Sequence, residues 1–485
     1  MLRGLILAAL LGATGAAQAV LPEPVEQLLQ AAHMPDDAIG VVVLRGATHV
    51  VAHNPDLAMQ PASTMKVLTT MAALELLGPG FRARTELRSD AGVVNGVLQG
   101  DLYLRGGADT DFDEDALRHM LQTLRSHGIK KIAGDIVFDR QLFQPARPDA
   151  GAPPFDEYPD AYYNVIPDAL LANSNLLRID LDSTSGKLKP ALLPELDKVT
   201  IRADMKLTDA PCAQWENGWK TPQVSSSGDK LSIVLHGSYP KDCAAATYLN
   251  LIERDDYLAR LFRAEWKQLG GSQSGGVRTA ATPATSRLLA EHLARPLPEV
   301  LYDTNKRSDN TLARTIFLSL GTLQADPALG SRPIAYSDNL TTSARAEQAI
   351  RSWMQQHGIG EQGLVLENGS GLSRVERISA AQLAGVLQAA QRSLWAPEFT
   401  ASLPISAIDG TMKKRLKDSP AAMRARLKTG SLNGVIAVAG YVPDADNQPC
   451  IVVAIINSNL AGGGVGRGIL DALVDWVARS GKEQP

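Results

Sequence analysis

Pro61-Ala-Ser63-Thr-Met-Lys66-Val-Leu-Thr-Thr-Met-Ala-Ala-Leu-Glu-Leu-Leu77-Gly-Pro-Gly80 is the stretch on which the reading of this 485-residue chain turns. From Val67 to Leu77 it is apolar apart from Thr69, Thr70 and Glu75, and Gly78-Pro79-Gly80 stops it, which predicts a helix sunk in a core. Ser63 opens that helix, where backbone N–H groups lack intrahelical partners, so a hydroxyl and a developing oxyanion are both favoured there. Lys66 follows three residues on, one turn away on the same face. Burial would favour its neutral amine, and a neutral amine can take the proton of a serine hydroxyl. An ordinary capping serine followed by a helical lysine would read the same. Ser-x-x-Lys recurs at Ser227-Gly-Asp-Lys230 and Ser238-Tyr-Pro-Lys241, but Gly and Pro keep either from opening a long buried helix.

Working outward, the composition is that of a globular chain long enough for two or three domains, 45% hydrophobic and 21% charged. A formal net charge of -4 argues against a nucleic-acid-binding surface. Met1 to Ala19 has one basic residue, a short apolar run and a small-x-small end, so it reads as a secretory signal cut after Ala19, with a periplasmic or secreted mature protein. No segment approaches the apolar length of a transmembrane helix. Export makes a disulfide between Cys212 and Cys243, both in turn-rich sequence, the expected pairing; Cys450 sits in an apolar run and is expected to stay a buried thiol. Eight scattered histidines show no ligand spacing, so no metal site is expected.

The outer parts of the chain share one texture. An amphipathic helix around Val25 to Leu29 precedes strands Ile39 to Leu44 and His49 to His53, and the chain ends in strands at Ala425 to Ser431, Val435 to Val442 and Ile451 to Asn457 and a helix at Arg467 to Arg479. Together they predict an α+β domain with a five-stranded antiparallel sheet flanked by helices. Between Arg84 and Thr285 the texture is of short strands and loops, with an Asn95-Gly96 hairpin turn, helices at Glu114 to His127 and Asp256 to Leu269, and a Pro-rich loop from Gln144 to Pro167. From Ser286 helix is expected again, on Leu288, Leu289, Leu293 and Leu297. The expected division is therefore a signal at 1–19, a catalytic domain from 20–83 and 286–485, and a β-rich insertion at 84–285 of one or two small domains.

Two further triplets carry chemistry. Lys428-Thr429-Gly430 occurs once and lies on a predicted strand, with Gly where a substrate backbone could approach. Ser308-Asp-Asn310 joins two predicted helices, where a tight loop can aim a hydroxyl and a carboxamide into a cleft. The other Ser-x-Asn triplets have plainer readings, Ser337-Asp-Asn339 as a loop and Ser431-Leu-Asn433 as the lead into an Asn-Gly turn. Ser-x-x-Lys on a helix, Ser-Asp-Asn on a loop and Lys-Thr-Gly on a strand form the signature of acyl-serine enzymes acting on D-alanyl peptides or β-lactams.

With these motifs, and with Gly100-Asp-Leu-Tyr-Leu, Asn368-Gly-Ser-Gly-Leu-Ser-Arg374 and Leu403-Pro-Ile-Ser-Ala-Ile-Asp-Gly-Thr411, the chain resembles the low-molecular-mass class C penicillin-binding proteins, D-alanyl-D-alanine carboxypeptidases and endopeptidases, over essentially its whole mature length. The 245 residues from Ser63 to Ser308 (308 - 63) fit that family's insertion and not a β-lactamase. Glu367-Asn368 stands where members often have Asp before Gly-Ser-Gly. The resemblance implies a penicillin-recognising, transpeptidase-like fold with a helical subdomain. It implies Ser63 as nucleophile, Lys66 as base, Ser308 as proton relay beside a Lys428 that holds the field positive, and Asn310 orienting substrate and Lys66. Thr429 and Ser431, with Gly430, would bind the substrate's terminal carboxylate, and the amides of Ser63 and Ser431 would form the oxyanion hole. Ser370 and Leu372 would line the side-chain pocket, Arg374 would meet a diaminopimelate carboxylate, and Asp156 and Glu157 its amine. Peptidoglycan stem peptides and β-lactams are the implied partners, no cofactor is needed, and a homodimer is left open. The rival readings are a secreted β-lactamase and a wall-binding scaffold with a weak catalytic centre.

Overall fold

The computed structural model describes residues 21–148 and 155–481; the expected signal and its cleavage point after Ala19 lie outside the described residues. Strands from opposite ends of the chain make one antiparallel sheet in the order Thr48–His53, Ile39–Arg45, Pro449–Asn457, Val435–Pro443, Arg426–Leu432. Side chains alternate across a strand, so each inner strand feeds two cores. Val42, Leu44, Ala437, Ala439, Val453 and Ile455 join the cluster that holds helices Met65–Leu77 and Ala380–Arg392. Val41, Val43, Val438, Val442, Val452 and Ala454 join another, with the terminal helices Glu23–Ala31 and Val465–Arg479. Burial on both faces is why Cys450 to Ile456 is apolar throughout and does not alternate.

The helix Met65–Leu77 is buried all round apart from Glu75 and Leu76. Glu75 accepts a 2.7 Å hydrogen bond from Trp353 Nε1, so even its one acidic residue is tied to a neighbouring helix, Thr342–Gln356. A helix so enclosed holds its first turn rigidly, and that turn carries Lys66.

Between these halves the chain builds sheets of its own. One runs Val277–Thr279, Ile136–Asp139, Leu102–Gly107, Arg84–Ser89, Arg287–Leu293, with helices Glu114–Ser126 and Arg254–Gln268 sharing its core. Two three-stranded sheets follow, centred on Leu177–Asp182 and Lys230–Pro240. The Asn95-Gly96 turn has both residues at positive φ, 50° and 78°, as a type I′ hairpin requires. Cys212 and Cys243 are bonded, with their Cα atoms 5.3 Å apart, and Cys450 is a buried free thiol.

One sequence expectation is corrected. Leu288, Leu289 and Leu293 lie on a strand, Arg287–Leu293, paired antiparallel with Arg84–Ser89, and helix begins only at Leu297. Their spacing imitates a helical face, while the partner strand is some 200 residues earlier and invisible to local periodicity. The insertion's sheet therefore continues past position 285.

Candidate active site

Ser63 lies half-buried in the tight turn Ala62–Thr64 that leads into Met65–Leu77. Lys66, fully buried one turn on, donates to Ser63 Oγ at 3.0 Å, to Asn310 Oδ1 at 2.7 Å and to the Ser370 carbonyl at 2.7 Å. Desolvation by burial pulls its amine down to about 7, against the raising fields of Asp309 and Glu376. Such an amine is substantially neutral near pH 7 and can accept a proton.

Ser308 comes from the link between helices Leu297–Lys306 and Asn310–Leu320, and Asn310 is the first residue of the second helix. Ser308 sits in the left-handed region, φ 60°, and Asp309 caps the second helix by accepting from the Leu312 amide at 2.9 Å. This kink turns the Ser308 hydroxyl to Lys428, whose Nζ donates to Ser308 Oγ and to its neighbour's carbonyl, Thr429 O, both at 2.8 Å. Burial, reinforced by the charge of Lys66, pushes Lys428 well below the ordinary amine range.

Lys428, Thr429, Gly430 and Ser431 lie on the sheet's edge strand Arg426–Leu432. The Leu427 amide donates outward to Pro404, so by the two-residue period the amides of Thr429 and Ser431 also face away from the neighbouring strand. Thr429 Oγ1 donates to Thr411 Oγ1 at 2.7 Å. Gly430 is placed differently from expectation. A Cβ there would stand 2.6 Å from Pro61 O and 3.1 Å from Ser63 N. Its missing side chain lets the strand pack on the Ser63 turn, and it opens no path for a substrate backbone.

A cleft of about 930 Å³ opens over these groups, lined by Ser63, Ser308, Asn310, Leu372, Arg374 and Ser431 and, from the insertion, by Asp156, Glu157 and three tyrosines. Ser370 does not line it. That residue is fully buried, its hydroxyl donating to Asn368 Oδ1 at 2.6 Å, and its carbonyl is spent on Lys66. Arg374 is exposed; it donates to Asn433 O at 2.9 Å and rests over the Phe155 ring. Burial works to raise the Asp156 carboxyl, but hydrogen bonds from Tyr158 N, Tyr163 Oη and Asn164 Nδ2, with the Arg374 charge, hold it below the usual range. Glu157 is exposed at the rim, and Ser337 and Asn339 are exposed elsewhere, as their loop reading implied.

Three contributors escaped the sequence reading. Tyr163 O accepts from Asn310 Nδ2 at 3.2 Å, tying the insertion to the site. Arg314 sits one turn beyond Asn310, and Glu376 is a fully buried carboxylate behind Ser370. Only Arg314 had a signal, its spacing of four from Asn310; Glu376 is an unmarked charge between Val375 and Arg377.

Among solved structures, the fold matches penicillin binding protein 4 from Haemophilus influenzae with a TM-score of 0.73 at 25% identity, covering 93% of this chain and 97% of that one. A predatory endopeptidase of Bdellovibrio bacteriovorus, 14% identical with a TM-score of 0.51 over 92% of this chain and 96% of that one, shares the fold. In sequence the chain is 27% identical to a D-alanyl-D-alanine carboxypeptidase of Haemophilus influenzae, over 85% of this chain and 83% of that one. It is 28% identical to a D-alanyl-D-alanine carboxypeptidase of Actinomadura sp., over 94% and 84%. Residues 21–480, which span both halves of the sheet, the insertion and all three motif-bearing elements, match the family profile itself, and the chain belongs to the D-Ala-D-Ala carboxypeptidase 3 (S13) family.

Proposed function

We propose that this family member acts through an acyl-enzyme on Ser63, releasing the terminal D-Ala of peptidoglycan stem peptides and hydrolysing D-Ala-meso-diaminopimelate cross-links after export to the periplasm or cell exterior. The observation that carries the reading is the meeting of Ser63 Oγ, Lys66 Nζ and Asn310 Oδ1 within hydrogen-bonding distance at the floor of one cleft. Neutral Lys66 takes the Ser63 proton as Oγ bonds to the carbonyl carbon of the penultimate D-Ala. The oxyanion develops between the amides of Ser63 and Ser431. The C–N bond then breaks, and Ser308, held beside Lys428, relays the proton taken by Lys66 to the leaving amine. Water hydrolyses the ester. Thr429 and Ser431 bind the terminal carboxylate; Leu372 and Arg374, with Asp156 and Glu157 opposite, receive a diaminopimelate side chain.

The Haemophilus influenzae fold relative has also been solved with a β-lactam bound, which supports penicillin as a probe here. Intact-mass spectrometry should find one penicilloyl adduct that persists, located on Ser63 and absent from Ser63→Ala. The same wild-type protein should release D-Ala and shorten cross-linked muropeptides. Labelling that survives Ser63→Ala would sink the site, and an adduct that turns over rapidly would favour the β-lactamase reading.

A further inference from the structure

The peptide group that joins Ser370 to Gly371 stands between two charged side chains. Its C=O accepts from Lys66 Nζ at 2.7 Å, and its N–H donates to Glu376 Oε2 at 2.8 Å. The other carboxylate oxygen, Oε1, accepts from the amides of Glu367 at 3.2 Å, Asn368 at 3.0 Å and Gly369 at 2.8 Å. Glu376 is fully buried, so a single carboxylate gathers four main-chain donors of one loop in a place where an unpaired charge would be costly. Burial pushes its carboxyl above the ordinary range while those amides pull it back.

That loop is pressed onto the nucleophile. Gly371 has φ 78°, and a Cβ there would lie 1.7 Å from Ala62 O and 2.9 Å from Ser63 N. Glu376 thus holds from behind a loop whose front face carries a ligand of Lys66 and touches the Ser63 turn. The charged groups facing Lys66 are Asp309 and Glu376, which favour its protonated form, and Arg314 and Lys428, which oppose it.

We infer that Glu376 is a positioning residue for acyl transfer, fixing and polarising, through the Ser370–Gly371 peptide, the carbonyl that holds Lys66 Nζ against Ser63 Oγ. A carboxylate on the N–H side increases the negative partial charge on the carbonyl oxygen, so the amine is both held in place and kept more basic than burial alone would leave it. The inference rests on the reading of Lys66 as the base.

The test is the second-order rate of Ser63 acylation by penicillin between pH 5 and 9, with Ser63→Ala as blank. In wild-type protein the rate should rise with pH through the Lys66 transition, near 7, because only the neutral amine accepts the proton. Glu376→Gln keeps the size but removes the charge and turns a donor toward an amide. Its plateau should fall at least tenfold. Its acid limb should move to lower pH by about half to one unit, because Lys66 loses a neighbour that favours its protonated form. Glu376→Asp keeps the charge on a shorter stem, so its plateau should fall while its limb stays in place, and it serves if the Gln variant folds poorly. If wild-type protein is acylated with a limb that Glu376→Gln lowers in height but does not move, Glu376 only supports the loop and the inference is overturned. A wild-type rate with no acid limb near 7 would overturn the Lys66 reading, and this inference with it.

Discussion

Arg374 is fastened at two points, by its bond to Asn433 O and by the Phe155 ring 5.6 Å from its guanidinium carbon, yet it remains exposed on the cleft with Asp156 nearby. An arginine held in this way is pre-organised to grip a carboxylate bidentately. A hydrogen bond to a charged group contributes roughly 1.5 to 3 kcal/mol, so Arg374→Ala should lower kcat/KM for diaminopimelate peptides about ten- to a hundredfold. Hydrolysis of a D-Ala-D-Ala dipeptide analogue should barely change; equal loss on both substrates would make Arg374 a prop for the Asn433 turn and Phe155. At this scale the chemistry-bearing triplets were legible because hydroxyl, amine and carboxamide have few plain reasons to recur in that order. Ser370, Gly430 and Glu376 were misread or missed because their roles depend on what another element brings. Sequence shows Gly430 on a strand, but not that the Ser63 turn fills the space beside it.

The helix Met65–Leu77 could be read from its own letters because it is buried on every side and ends at a Gly-Pro-Gly stop. The loop of residues 367–376 could not, because its shape comes from one buried carboxylate and from glycines that allow close approach. Gly371→Ala separates two costs. The φ of 78° is unfavourable for alanine by about 1 kcal/mol, and the clash with Ala62 O adds displacement of the loop. Gly358, at φ 68° with nothing within 4 Å of an added Cβ, carries the first cost without the second. Gly358→Ala should therefore lower stability by only about 1 kcal/mol and leave acylation unchanged. Gly371→Ala should cost about 2 to 4 kcal/mol and slow acylation at least tenfold. Denaturant melts together with penicillin labelling rates check both, and a Gly371→Ala protein acylated at the wild-type rate would detach the loop from the chemistry.

Across the whole molecule, the outer sheet was legible because both its halves show strand texture and its terminal helices are strongly amphipathic. The insertion's topology was not, since it rests on distant pairings, such as Arg84–Ser89 with Arg287–Leu293 and the parallel pair Val199–Thr208 with Lys230–Pro240. The insertion reaches the cleft through the segment that carries Asp156 to Tyr163, and just beyond it Asp168, fully buried between Arg140 and Arg254, anchors the chain. The Cys212–Cys243 bond lies elsewhere, tying the turn Cys212–Gly218 to the link between Lys230–Pro240 and Ala244–Leu249 within the insertion's own core. Stability and catalysis should therefore respond separately to its loss. On the loop-entropy estimate, closing a separation of 31 residues contributes about 3 to 4 kcal/mol. Replacing both cysteines by serine should lower the unfolding free energy of the insertion by that amount, read from a denaturant titration of tryptophan fluorescence. Trp215, in the turn that begins at Cys212, and Trp219, directly after it, have their rings 5.6 Å apart against the same core and report on that region. Penicillin acylation of the folded variant should keep its wild-type rate, because none of the groups around Ser63 belongs to that core. An acylation rate that falls while the protein is still folded would mean that strain in the insertion reaches Asn310 through Tyr163 O, and the insertion would then be a working part of the site and not a scaffold beside it.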